Sequence, residues 1–316
     1  MEKKFRISMQ TRENAAETFE RFLLTKRTDG AKTKTIETYS QHFHAISKHL
    51  DTDRAVEGMT SEDLKQMIVS MQDSGLSPNS IKSYTITLKA FLSWCNSEGI
   101  TTLNMAKHKG EETIKETYTD EELTVLLQKP NTKQCSFSEY RSWVIVNLLV
   151  NCGCRAATIR NIQNRDVDLP NHVIYARHTK NRKALVIPLC SQMVNILREY
   201  MKIRSGDDED YLFCNEHGEF MTESALRNSI ERYNTRRGLT KTSIHLFRHT
   251  FARKYLVDCG GNAFTLQKLL GHSTLDMTKH YCAIFDADIA KNFDSFSPLE
   301  KMNAKSTKIK MNAGRK

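Results

Sequence analysis

Residues 243–281 read S-I-H-L-F-R-H-T-F-A-R-K-Y-L-V-D-C-G-G-N-A-F-T-L-Q-K-L-L-G-H-S-T-L-D-M-T-K-H-Y, and their punctuation predicts a run of short helices. Ser243 is placed to cap a helix running to about Asp258, which Gly260 stops. Phe264 to Leu270 forms the next helix, Gly271 closes it, and His272 sits on the turn that follows. Ser273 or Thr274 then opens a helix on which Tyr281 falls. His245 and Arg248 lie three residues apart and share a face. That face begins at a helix N-terminus, where the dipole and the free N–H groups favour an anion such as phosphate.

Upstream, Asn151-Cys-Gly-Cys154 ends an apolar helix at glycine, and Arg155 follows as a second helix-edge arginine. Taken alone, Arg155 reads as a cation at the C-terminal end of the preceding helix. From His172 to Leu189 apolar and polar residues alternate around the turn-like stretch His178 to Lys183, which predicts a β-hairpin. Thr119-Asp-Glu-Glu122 has the form of a capping box that opens a helix. Gly99 to Tyr118 is polar and mixed in charge and reads as a linker. Before it, apolar residues three and four apart predict helices near 11–26, 33–50, 60–74 and 79–97, with Gly75 ending the third and Ser77-Pro78-Asn79 starting the fourth. The expected fold class is mainly α with a small β-hairpin, α+β overall. Its segments are a tail at 1–10, a helical unit at 11–98, a linker at 99–118, a larger unit at 119–300 and a basic tail at 301–316.

A chain of 316 residues has room for two cores. Its 47 Lys and Arg against 37 Asp and Glu give +10, which favours a polyanionic partner. The stretch from Lys301 to Lys316 holds six cations and no acid, the composition of a solvated tail. Eight cysteines occur with no C-x-x-C pair, and the nearest two, Cys152 and Cys154, have no matching pair downstream, so no zinc site is expected. There is no signal peptide, and the longest apolar run, Trp143 to Val150, is broken by Asn147. The expectation is a reduced, cytoplasmic protein.

Together, C-G-C-R at 152–155, T-K-N-R-K-A-L-V-I-P-L at 179–189, H-L-F-R-H-T-F-A at 245–252, L-L-G-H at 269–272 and Tyr281 resemble the tyrosine recombinases, also called the phage integrase family. The resemblance covers nearly the whole chain. It implies an N-terminal core-binding (SAM-like) domain and a catalytic domain that form a C-shaped clamp around duplex DNA. Arg155 and Arg248 would clamp the scissile phosphate, and Tyr281 would attack it. Guanidinium suits the first task because it stays charged and binds two oxygens at once. Lys180 matches the family's mobile lysine that protonates the departing 5′ oxygen, with Lys183 as the competing candidate. His245 and His272 match positions that donate hydrogen bonds to the phosphate and manage the nucleophile's proton, with His245 the preferred acceptor.

The implied reaction leaves a 3′-phosphotyrosyl link and a free 5′ hydroxyl, and it needs neither cofactor nor metal. One position departs from the family pattern. An acidic residue commonly lies three positions after the first arginine, and here Thr158 stands there, so Arg155 must be oriented by other groups or held less rigidly. Phe285, Ile289, Phe293 and Phe296 form an apolar stripe near 284–300. In the family such a helix docks on a neighbouring protomer, linking four active sites on paired DNA sites; packing on its own domain weighs equally. With only about ten residues before the first helical unit, the expectation is a simple two-domain recombinase that integrates or excises a mobile element or resolves replicon dimers. An accessory DNA-bending or directionality factor is a further expected partner. The rivals are a DNA-binding protein of this fold without catalysis, a type IB topoisomerase and, last, a metal-dependent hydrolase.

Overall fold

The computed structural model describes residues 13–106, 108, 110, 116–177, 185–272, 274 and 278. The chain divides into two compact units, residues 1–113 and 114–316.

In the first unit, local capping chemistry sets where helices begin. Asn14 accepts from the Glu17 N–H at 2.8 Å while Glu17 accepts from the Asn14 N–H at 3.1 Å, opening α1 (Ala15–Thr28). After α2 (Thr33–Ile46), the pair Thr60 and Asp63 repeats that box at the start of α3 (Ser61–Asp73). Ser77 accepts from the Ser80 N–H at 3.1 Å with Pro78 at the first position of α4 (Pro78–Ser97), as the sequence predicts. The core is aromatic: Phe19 stacks on Phe43 with centroids 3.8 Å apart and meets the edge of Phe91 at 5.1 Å. Met67 and Met71 from α3 fill the remaining space and are fully buried.

The largest boundary differences from the sequence reading are at the start of α1 and the end of α2. The first helix starts at Ala15 rather than 11, and α2 stops at Ile46 instead of 50. There the chain turns back, with the N–H groups of His49 and Leu50 both donating to the Ile46 carbonyl, so that Leu50 is buried from a turn.

The second unit is organised around α6 (Phe137–Cys152), which follows α5 (Asp120–Leu127). The expected Thr119 box opens α5, with Thr119 accepting from the Glu122 N–H at 3.2 Å. Residues 140–149 of α6 are all buried, so this helix has no solvent face. Around it pack α5, α8 (Ser191–Arg204), α9 (Glu223–Arg236) and α10 (Ile244–Val257). Between α6 and α8 come the short α7 (Ala156–Arg160) and an antiparallel sheet, β1 (Val167–Asp168), β2 (Val173–Ala176) and β3 (Leu185–Pro188). The β2–β3 register pairs Ile174 with Ile187 and Tyr175 with Val186. The first pair faces the core and the second is exposed, the alternation expected of a half-buried sheet. The hairpin thus forms where the sequence places it, while its turn, 178–184, lies outside the described residues. Strand β1 was not anticipated, because two residues carry no readable alternation. The last described helix, α11 (Ala263–Leu270), lies against α10 and β3. The fold is therefore mostly helical with one small sheet. No helix among the described residues is long and apolar enough to cross a membrane.

Trp94 and Trp143 are the chain's two tryptophans and lie in different units, so each reports on one. Ile145→Ala empties a fully buried site on α6 and is expected to cost about 3 kcal/mol. In a Trp94→Phe background, Trp143 fluorescence should show the urea midpoint falling while the slope is unchanged.

Candidate active site

Helix α6 ends at Gly153, whose φ of 59° and ψ of 28° lie in the left-handed region. Its N–H donates to the Leu149 carbonyl at 2.8 Å, and the chain then leaves in extended conformation through Arg155, the residue that caps α7. Helix α11 ends the same way at Gly271, with φ 61° and ψ 45°, as the sequence predicts. A helix end leaves carbonyl oxygens without intrahelical partners and carries a negative partial charge. These two ends supply the acceptors for both arginines.

Arg248 is 5% exposed on α10. Its Nη1 donates to the Gly153 carbonyl at 2.9 Å and its Nη2 to the Leu270 carbonyl at 3.0 Å. Arg155 reaches the same helix end from the other side, with Nη1 donating to the Gly271 carbonyl at 3.2 Å and the Leu270 carbonyl at 3.4 Å. The two guanidinium groups therefore share the Leu270 oxygen. Helix α10 is itself tied down, since the Thr250 hydroxyl accepts from the Tyr118 N–H at 2.9 Å and Phe247 packs against the Tyr118 ring at 4.4 Å.

Arg248 also fixes the ring of His272. Nη2 lies 2.6 Å from His272 Nε2, and because guanidinium only donates, Nε2 must accept. The proton therefore resides on Nδ1, which donates to Thr278 Oγ1 at 2.8 Å. Burial, then the charges of Arg248 and Arg155, hold the His272 pKa down at about 4, so the ring is neutral near pH 7.

Of the residues singled out from sequence, the structure brings Arg155, Arg248 and His272 together. His245 stands exposed on the first turn of α10. Lys180, Lys183 and Tyr281 lie outside the described residues. Thr158 is buried within α7, and its N–H donates to the Arg155 carbonyl at 2.9 Å. Backbone carbonyls at the α11 end hold the Arg155 guanidinium, a role for which the family commonly has a carboxylate. Thr278, buried and bonded to His272, carried no signal in the sequence because a lone threonine on a helix is unremarkable there. Cys152 and Cys154 bring their sulfurs to 3.0 Å on either side of Gly153, and burial pushes the Cys152 thiol well up.

Two measurements test this geometry. A Cβ on Gly153 would lie 2.6 Å from Phe251 Cδ1 and 3.1 Å from Leu270 Cδ2 at a positive φ. Gly153→Ala should therefore lower the stability of the second unit by about 2 kcal/mol or more. Gly218→Ala, at φ 83° in open space, should cost only the backbone strain of about 1 kcal/mol. For His272 the folded-state pKa lies below the ordinary 6.5. The unfolded chain then takes up the proton first, so the contribution is complete above about pH 6.5 and is lost as pH falls towards 4. NMR titration should find the ring neutral at pH 5.5, and His272→Asn should flatten the fall in urea midpoint across that window.

Comparison with known proteins places the whole arrangement. The profile of the phage integrase family matches residues 116–287, and that of the phage integrase N-terminal SAM-like domain matches residues 16–99. The tyrosine recombinase XerC of Thermodesulfovibrio yellowstonii is 28% identical over 240 residues, covering 72% of this chain and 78% of that protein. The tyrosine recombinase XerA of Saccharolobus solfataricus is 26% identical over 292 residues, covering 88% and 90%. A lambda integrase tetramer bound to a Holliday junction has the same fold, with a TM-score of 0.70 at 20% identity over 87% of this chain and 79% of that one. The Tn1549 transposon integrase in complex with transposon right end DNA gives 0.70 at 20% identity, over 90% and 99%. With the family match spanning the unit that holds both arginines, the chain belongs to the phage integrase family, the tyrosine recombinases.

Proposed function

We propose that this protein is a site-specific DNA recombinase that cuts and rejoins duplex DNA through a 3′-phosphotyrosyl intermediate. The observation that carries the reading is the pair of guanidinium groups, Arg155 and Arg248, held by one set of carbonyls beside a neutral His272. A phosphodiester under attack gains negative charge, and donors fixed in place before the reaction stabilise that charge without reorganising.

In this mechanism the Tyr281 oxygen attacks phosphorus, the bond to the 5′ oxygen breaks, and a phosphotyrosine ester forms. The phenol, with an ordinary pKa of about 10, needs an acceptor for its proton at neutral pH. His245 takes that role, being exposed on the first turn of α10, three residues before Arg248. Lys180, or Lys183 in its place, gives the departing 5′ oxygen its proton. His272 keeps Arg248 oriented through Nε2. Attack by the 5′ hydroxyl of a second strand reverses these steps and joins new partners, so the bond energy is conserved.

Residues 11–98 act as the core-binding unit and 119–300 as the catalytic unit on duplex DNA, with four protomers on paired sites. Phosphate contacts by a chain of net charge +10 make binding strongly salt dependent. The role is integration or excision of a mobile element, or resolution of replicon dimers.

The test is a denaturing gel of the protein with nicked duplexes drawn from DNA flanking its gene, in EDTA, beside Tyr281→Phe. A slowed covalent band is expected with Tyr281 present and absent with Phe. A band formed by Tyr281→Phe reassigns the nucleophile. Specific binding without any band favours a DNA binder of this fold that does not cut.

A further inference from the structure

Arg141 lies in the first half of α6, eleven residues before Cys152 and so about 16 Å along the axis from the arginine seats. It is 4% exposed and, among the described residues, forms no ion pair, although Glu216 lies close enough to act on its charge. Its Nη1 donates to the Cys214 carbonyl, and its Nη2 to the hydroxyls of Ser138 and Ser229 at 3.3 Å each. Its Nε has no acceptor. Burial lowers its pKa from the usual guanidinium value, and the nearby groups, Glu216 among them, offset that only in part.

Arg141 lines a cavity of about 490 Å³ between the first turns of α6 and one face of α9, a size common for small-molecule sites. Arg232 and Arg236 line it as well, and among the described residues neither has a hydrogen bond or ion pair. The two carboxylates in the wall are both engaged. Glu216 accepts from Ser138 at 2.8 Å, and Glu139 pairs with Arg237 at 3.3 Å. The Asn228 amide adds a neutral donor, while the hydroxyls of Ser138 and Ser142 already donate to Glu216 and to the Ser138 carbonyl. The wall therefore carries three guanidinium groups against two carboxylates, one of them already paired with Arg237.

We propose that this cavity binds a small phosphorylated compound, with Arg141 at its base and Arg232 and Arg236 at its mouth. Arginine forks match pairs of phosphate oxygens, and several converging donors suit a tetrahedral dianion better than a planar carboxylate. The site lies at the opposite end of α6 from the arginine seats and does not rest on the recombinase reading.

The experiment is a thermal melt of the full chain titrated with inorganic pyrophosphate in EDTA, with sodium chloride matching the ionic strength. A saturable rise in melting temperature is expected. Arg232→Gln/Arg236→Gln, which changes exposed positions only, should require about tenfold more pyrophosphate or higher for half that rise. Arg141→Met should abolish the rise if it folds, and the surface double variant decides the matter if it does not. An equal rise in wild type and double variant overturns the proposal. So does no rise at all, including the case in which the double variant loses affinity for duplex DNA, which would make the cavity part of the DNA track.

Discussion

The backbone carbonyls at the ends of α6 and α11 hold two like-charged side chains together, and the site depends on that contact. Arg155 and Arg248 would repel each other in the absence of compensating dipoles. The compensation comes from oxygens that any helix end leaves over, those of Gly153, Leu270 and Gly271. These oxygens carry no formal charge, so they hold the guanidinium groups without neutralising them. A carboxylate in the same place would hold Arg155 more tightly and offset more of its charge. The substitution of Thr158 at the usually acidic position is thus compatible with a well-placed arginine.

The same contact explains the neutral state of His272. Its Nε2 faces a permanent cation and its Nδ1 faces a hydroxyl, so a second proton would have no acceptor and two repelling neighbours. The ring is therefore a fixed element of the arginine frame. His245, exposed on the same helix as Arg248, has the solvent access that a proton-exchanging group requires.

Much of this was legible in the sequence because it is locally encoded. Ser77, Thr119 and Gly271 act on their own helix ends, and each does in the structure what its residue type predicts. The early end of α2 and the two-residue β1 were not legible, since Leu50 is buried by the rest of its unit and β1 exists only by pairing with β2. At the site, the family resemblance of the motifs pointed to Arg155, Arg248 and His272. The means of holding them could not be read, because a backbone carbonyl is present at every position and only the fold selects three of them. For Arg155 the bland reading, a cation at the end of α6, misplaced its partner. The guanidinium is bonded at the end of α11, more than a hundred residues away.

That separation has a consequence for synthesis. A nascent chain that has emerged only through α10 already contains both arginines, yet the oxygens that seat Arg155 are still to come at residues 270 and 271. Domains fold as units as the polypeptide leaves the ribosome, and here the seating of Arg155 waits on residues that follow α10. An unfinished polypeptide thus carries both guanidinium groups before the fold can hold them together.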